Sequence, residues 1–138
     1  MITPEDVLEV MGQQAQTVCS RTFPQDRPNA TDSKLKEFIV VSLPYSTVNR
    51  TLGENDDWWF DMTVVFEIFV ADRGAARDPK EFDWRAMKRL RESLFALFPI
   101  IDANRRFKIT RPRTVITASS DGNGYHYSRV QAKMTTMV

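Results

Sequence analysis

The chain has 138 residues, 42% of them hydrophobic and 27% charged, and a formal net charge of +1. This length suits a single domain, residues 1–138, and the composition excludes a disordered tail or a disulfide scaffold. No apolar run reaches the roughly 18 to 20 residues that cross a bilayer, and the acidic start does not resemble a secretory signal, so we expect a cytosolic product. Cys19 is the only cysteine and His126 the only histidine, which excludes an internal disulfide and the common zinc sites.

The first predicted element is a helix from Pro4 to Arg21. Thr3 can cap it, and Pro4 suits the first helical position. Apolar residues then recur at helical spacing, at Val7, Leu8, Met11, Ala15 and Val18. The next stretch, residues 23–34, has two prolines and many turn-forming residues, and it predicts a long loop.

Two strands are predicted after this loop. Residues 35–43 are largely apolar at both odd- and even-numbered positions, as in a strand that is buried on both faces. Residues 44–57 form a second long loop, and residues 58–71 form the next strand. Its even-numbered positions are all apolar, whereas its odd-numbered positions mix polar residues with Trp59, Val65 and Phe69.

The second half of the chain repeats this order. Asp78 and Pro79 predict the start of a second helix over residues 79–97, which ends before Pro99. Two strands follow, over 105–118 and 125–138. They are joined by Asp-Gly-Asn-Gly at 121–124, a sequence that favours the positive φ angles of a tight hairpin turn.

The predicted fold is therefore α+β, a single domain with the order αββαββ. We expect a mostly antiparallel four-stranded sheet with two helices packed on one face. The other face of this sheet would then be only partly covered. An apolar patch there would mark a binding surface, so we assign Trp59, Val65, Glu67 and Phe69 to an interface between subunits.

Metal sites find little support in the sequence. The acidic residues Glu54, Asp56, Asp57 and Asp61 could in principle hold a hard cation, but the glycine and ligand spacing of a calcium loop is missing. A metal-dependent nuclease motif that combines an acid with Glu-x-Lys fails because Phe69 stands where the lysine should be. A polar loop tip is the simpler interpretation.

The sequence gives equally little support for catalytic groups. Cys19 and His126 could act as nucleophile and base, but no third group that would orient them is evident. No phosphate-binding glycine loop and no Gly-x-Ser-x-Gly motif is present. We therefore predict no catalytic, metal-binding or cofactor-binding residue, no cofactor and no enzyme activity.

Charge is distributed unevenly along the chain. Residues 85–113 contain nine basic and two acidic residues, so the remainder of the chain is net acidic. Such segregation suits a nucleic-acid path or head-to-tail assembly, and a solvated helix face followed by an exposed strand is the simpler alternative. The basic residues assigned to a partner or a lumen are Arg85, Lys88, Arg89, Arg105, Arg106, Arg111 and Arg113.

Several phrases of the sequence, in their order, resemble a known family. They are "FIVVSLPYS", "DMTVVFEIFVADR", "ESLFALFPI", "RPRTV" and "SDGNGYHYSRVQAKMT". From about Phe38 onward the chain resembles small phage tail-completion proteins, the tail-terminator or head-tail joining group of tailed phages and prophages.

This resemblance implies a subunit of the virion that forms a ring, commonly a hexamer. Such a ring caps the tail tube and joins it to the head connector, and DNA passes through its lumen. Carried to this chain, the sheet around Trp59 to Phe69 would form the seam between subunits. The loops at 23–34 and 44–57 would touch neighbouring rings, and the basic residues within 85–113 would face the lumen or an acidic neighbour.

Three other functions stay open at this point. A nucleic-acid-binding domain would use the basic segment 85–113 together with stacked aromatic side chains. An enzyme of unrecognised type and a small adaptor protein are further alternatives.

Overall fold

The structure is a computed structural model that describes residues 2–25, 35–43, 49–52, 58–72, 82–122 and 124–137. For 49–52 and 58–62 it describes the backbone only. The predicted loops at 23–34 and 44–57 therefore lie largely outside the described residues. The acidic residues Glu54, Asp56 and Asp57 and the predicted cap Asp78 lie outside them entirely.

The described residues form two helices and eight strands. All eight strands belong to one curled mixed sheet, a half-barrel. In chain order these are α1 Pro4–Gln16, β1 Thr22–Pro24, β2 Glu37–Ser42, β3 Asn49–Leu52, β4 Trp58–Ala71, α2 Trp84–Phe95, β5 Ile100–Ile101, β6 Phe107–Ile109, β7 Thr114–Ser120 and β8 Tyr125–Thr136. The predicted four-stranded sheet in the order αββαββ was wrong. Short strands in predicted loops, and a break in one predicted strand, make the fold sheet-dominated.

A central pair of long antiparallel strands organises the sheet. β4 and β8 pair from Asp61↔Thr135 to Ala71↔Tyr125. The other edge of β4 carries β2 and β3 one after the other, and the other edge of β8 carries β7 and β6. β1 adds to β2 in parallel, and β5 adds to β6.

The strand predicted over 105–118 is in fact two strands. β6 and β7 both pair with β8, but the chain leaves the ladder between Thr110 and Arg113, whose backbone N–H groups still donate to Lys133 and Gln131. Pro112 lies within this break and has no N–H to donate. The predicted hairpin after β7 is confirmed, since Asp121 N donates to Tyr125 O at 2.9 Å.

The main hydrophobic core lies between the two helices and one face of the sheet. The helices contribute Val7, Met11, Ala15, Met87, Leu90 and Leu94. Facing them are the even-numbered residues of β4, namely Val64, Phe66, Ile68 and Val70. Because side chains alternate along a strand, the odd-numbered residues of β4 lie on the opposite face.

Helix α1 begins where the sequence predicts and ends earlier. The Thr3 hydroxyl accepts from Asp6 N at 3.1 Å, and the Asp6 carboxylate accepts from Thr3 N at 3.0 Å, which completes a capping box. The helix ends at Gln16 and not at Arg21. Thr17 N and Val18 N instead donate to carbonyls only three residues back, in a turn that leads into β1.

Helix α2 begins later than predicted. Its cap is Asp83, whose carboxylate accepts from Ala86 N at 3.2 Å, and its first residue is Trp84. The immediately preceding Phe82 is not helical. The helix ends at Phe95, close to the predicted Leu97.

Candidate assembly surface

Two of the four residues predicted to join subunits are buried within a single copy of the chain. Val65 is 0% and Phe69 5% exposed. Phe69 stacks on Phe38, with ring centroids 4.6 Å apart, and it also contacts Tyr127. These two residues therefore form no exposed patch, because the face of the sheet opposite the helices has a small core of its own.

This second core is anchored by a hydrogen bond from a tyrosine side chain to the backbone just before β2. Its buried residues are Phe38, Val40, Phe69 and Tyr125. The Tyr125 hydroxyl donates to Leu35 O at 2.8 Å, and the ring packs edge-on against Phe38. Packing within the chain thus explains Phe69 on the mixed face of β4, and Val65 on that face is buried as well.

The other two predicted interface residues are placed differently. Glu67 is half-buried, and in the β4–β8 ladder it pairs with Arg129. The side chain of Trp59 lies outside what the structure describes, although its backbone pairs with Thr51 in β3.

Arg106, one of the predicted partner-contact residues, is held within the chain. Its guanidinium donates to Asp102 at 2.9 Å and to Asp6 at 3.3 Å. The hydrogen bond from Arg106 holds the pKa of the buried Asp102 below its usual value. The pKa of Asp6 is lowered chiefly by the Thr3 backbone N–H, with Arg106 adding to the effect. Arg106 thus ties the turn after β5 to the start of α1.

The remaining predicted basic residues fall into two exposed groups. Arg85, Lys88 and Arg89 lie on α2, where Arg89 forms an ion pair with Glu37 at 2.7 Å. Arg105, Arg111 and Arg113 lie in the connections on either side of β6. The structure therefore divides the predicted basic segment and removes Arg106 from it.

Sequence reasoning missed two exposed aromatic side chains on α2. Trp84 is 54% and Phe95 36% exposed. Both lie on one side of the helix with Lys88 and Arg91, because the spacings of 4, 3 and 4 residues keep these four on one stripe. We call these four residues the α2 flank. A helical wheel of the true helix, begun at Trp84, would have separated this flank from the buried stripe.

One contact shows which way the α2 flank points. The Arg91 guanidinium donates to the buried Ser128 Oγ of β8 at 3.0 Å, and Ser128 in turn donates to Ile116 O of β7. The flank therefore faces the side of the sheet formed by β8 and β7. Arg85 adds a positive charge beside it, with its guanidinium carbon 5.3 Å from the centre of the Trp84 ring.

A groove lies between α1 and the β1 edge of the sheet. Its volume is about 360 Å³. The lining residues are Glu5, Leu8, Glu9, Gly12, Gln13, Gln16, Thr22, Pro24 and Val41. We call it the α1 groove. Its lining surface is mainly apolar, and Glu5 and Glu9 are exposed at its rim.

The structure does not bring Cys19 and His126 together. His126 Nδ1 lies 2.6 Å from the Asp72 carboxylate, and its ring stacks on Phe82. Cys19 is instead a buried free thiol beside the carbonyl groups of Arg21 and Glu37. Burial raises the pKa of this thiol, which makes it a poorer nucleophile.

The described residues contain neither a metal-binding cluster nor a membrane-spanning helix. No group of three or more His, Cys, Asp or Glu side chains there is arranged to hold a metal ion. Neither helix is long and apolar enough to cross a membrane.

Comparisons with known proteins establish the fold alone. No protein-family model and no curated protein matches the chain. Among solved structures 19 chains match its fold. One of them superposes with a TM-score of 0.63 at 10% sequence identity, over 100% of this chain and 98% of its own. At this identity the likeness extends to the arrangement of helices and strands and not to an activity.

Proposed function

We propose that this chain is a structural subunit of a tailed-phage or prophage particle, of the tail-terminator or head-tail joining kind. Copies of the chain assemble into a closed ring, of the hexameric type found in that group. The ring caps the tail tube, joins it to the head connector and lets DNA pass without sequence recognition. The chain then acts by assembly in the virion and not by catalysis.

The exposed α2 flank is the observation that carries this proposal. Trp84 and Phe95 are the exposed large aromatic side chains among the described residues, whereas most of the other large apolar residues there are buried on the two faces of one sheet. Tryptophan and arginine are among the residues most enriched at the energetic centres of protein interfaces, and here the Arg85 guanidinium lies over the Trp84 ring. The phrases shared with tail-completion proteins supply the kind of assembly.

The size of the purified protein tests this proposal. We expect sedimentation velocity and light scattering to show a discrete oligomer, and negative-stain electron microscopy to show closed rings with a central opening. A protein that remains monomeric at every accessible concentration contradicts the proposal.

Nucleic-acid binding is the second candidate, and the exposed group around β6 favours it. Arg105, Arg111 and Arg113 are exposed and form no ion pair within the described part of the chain. Binding through them would weaken steeply with salt, because each neutralised phosphate releases counterions. The triple variant Arg105→Gln, Arg111→Gln and Arg113→Gln should then reduce both the affinity for DNA and its salt dependence. DNA binding that is equal in this variant and the parent protein rules the candidate out.

A further inference from the structure

The α2 flank and the α1 groove are two separate surfaces of one copy of the chain. Helix α1 contacts β1 and β2, at one side of the strand order. The α2 flank faces β8 and β7, at the other side. Because the flank and the groove have no residue in common, the flank of one copy can meet the groove of the next.

The groove is suited to an apolar side chain that has positive charge next to it. Leu8, Pro24 and Val41 give it apolar walls, and no atom lies within 4 Å of a Cβ placed on Gly12. Its volume of about 360 Å³ falls within the range of sites that enclose small organic groups. At the rim of the groove, Glu5 and Glu9 are exposed and place two carboxylates beside it.

The flank carries the matching chemistry. Trp84 offers a large, rigid apolar surface that is 54% exposed, and Phe95 lies on the same side of the helix near its other end. Arg85 and Lys88 place positive charges next to Trp84, and Lys88 has no ion pair within the described part of the chain. An apolar anchor surrounded by charges opposite in sign to those of its receptor is the usual composition of a specific interface.

Resting on the ring proposed above, we propose that subunits join when the α2 flank of one copy docks in the α1 groove of the next. Trp84 enters the groove beside Gly12, while Arg85 and Lys88 approach Glu5 and Glu9. Because the two surfaces differ, the contact is head-to-tail, and repetition of such a contact closes a ring when the rotation between copies allows it. The buried face around Val65 and Phe69 takes no part.

Two single substitutions test the two sides of this contact. Trp84→Ala removes the anchor at an exposed position, and Gly12→Leu fills the groove while improving the helix propensity of α1. Each should weaken self-association about 30-fold or more, as expected on loss of an interface hot spot. The control is Ile116→Thr, an exposed apolar residue on the face of the sheet away from the helices, which should leave assembly unchanged. Circular dichroism verifies that all three variants are folded.

Mixing the two variants gives a sharper result. Trp84→Ala retains an intact groove, and Gly12→Leu retains an intact flank, so together they can form a single contact and no more. We expect each variant alone to sediment as a monomer and the equimolar mixture to sediment as a dimer. A mixture that stays monomeric contradicts the head-to-tail contact.

Charge exchange supplies an independent test. Glu9→Lys and Lys88→Glu should each weaken association, and the chain that carries both changes should recover much of the loss. If the double variant loses as much association free energy as the two single variants lose together, this pairing is contradicted.

The outcomes separate this inference from the proposed function. If the unmodified chain is monomeric, the ring itself is wrong. If the unmodified chain forms rings and both Trp84→Ala and Gly12→Leu still form them with equal affinity, the ring stands and the contact proposed here is wrong. If Ile116→Thr alone disrupts the ring, copies join through the β7 edge instead.

Discussion

Arg106 shows how a residue can be misassigned when only its charge is known. The sequence places it in a basic segment, yet its guanidinium lies between Asp102 and Asp6 and links two distant parts of the chain. Asp102 also accepts from Arg106 N at 3.2 Å, so a single buried carboxylate has several donors from the same residue. Removal of that carboxylate would leave these donors without their acceptor.

We therefore predict that Asp102→Asn lowers the free energy of unfolding by about 1 to 3 kcal/mol at neutral pH, since hydrogen bonds to charged groups are the stronger ones. The pKa of Asp102 is lowered by Arg106, so this stabilisation is complete above the unfolded pKa near 4. It is lost as the pH falls through the lower folded pKa. Urea unfolding of both proteins over a pH series measures the difference, which should shrink in acid. A constant difference contradicts the ion pair.

The two adjacent arginines allow a matched comparison. We predict that Arg106→Gln destabilises the fold, because it leaves the buried Asp102 without its ionic partner. Arg105→Gln should change stability by less than about 0.5 kcal/mol, because Arg105 is exposed. Thermal unfolding of the two variants checks this. Equal losses would show that Arg106 has no special structural role.

Substitution by alanine should change the free energy of unfolding in opposite directions at two glycines. Gly122 has a φ of +79°, so Gly122→Ala should destabilise the hairpin by about 1 kcal/mol or more, although the site has open space. Gly12 lies within α1 and also has open space around it, so Gly12→Ala should stabilise the fold by about 0.5 to 1 kcal/mol. Chemical denaturation of both variants, under conditions that keep the protein monomeric, measures the two changes in the free energy of unfolding.

At the scale of elements, the start of α1 is the feature that the sequence predicts most directly. Thr3→Ala should cost about 1 kcal/mol, because the Asp6 N–H loses the hydroxyl that accepts from it. Thr3→Ser retains an acceptor at the same position and should be close to the parent protein. Urea denaturation of the three proteins gives the comparison, and equal losses for Ala and Ser would exclude the cap as the cause.

Long, strongly patterned elements could be predicted, and short ones could not. The bounds of β4, Trp58–Ala71, follow from its even-numbered apolar face, and the β7–β8 hairpin follows from its glycines. β1, β3 and β5 have only two to four residues, too few for any periodicity to show. They exist because longer strands offer them an edge to pair with, which is a tertiary effect.

The start of α2 was misplaced for a different reason. The sequence offers two capping aspartates, Asp78 and Asp83, and the first is followed by a proline that suits a helix start. The structure uses the second, and Phe82 stacks on His126 instead of joining the helix. A choice between two local signals was decided by a contact with a strand about forty residues away.

At the scale of the whole molecule, the pattern of β4 alone could not show that Val65 and Phe69 are buried within one copy, because an apolar residue on a strand does not reveal what covers it. Val65 and Phe69 have the alternation of a patch that needs a partner, yet both are buried, and Phe69 packs against Phe38 and Tyr127. The segregated charge was a better guide to the surface. It still could not separate Arg106, which is paired internally, from Lys88, which is exposed.

The proposed contact predicts a specific response to salt. Lys88 and Glu9 lie at the rim, so screening should slow association of the Trp84→Ala and Gly12→Leu chains and change their dissociation much less. Stopped-flow mixing of these two variants over a range of salt concentrations measures both rates. A dissociation rate that rises as steeply as association falls would place the charges at the buried centre of the contact and not at its rim.

The β4–β8 ladder gives the subunit a direction of mechanical strength. Eleven residue pairs join these strands, and every other strand attaches directly or indirectly to one of them. A force that slides β4 along β8 loads many backbone hydrogen bonds in shear at the same moment, so the ladder resists it strongly. A force that lifts β7 away from β8 breaks its bonds one after another, as in unzipping. The chain is thus stiff along its two long strands and weakest at its outer edges, where a neighbour that covered them would add the most resistance.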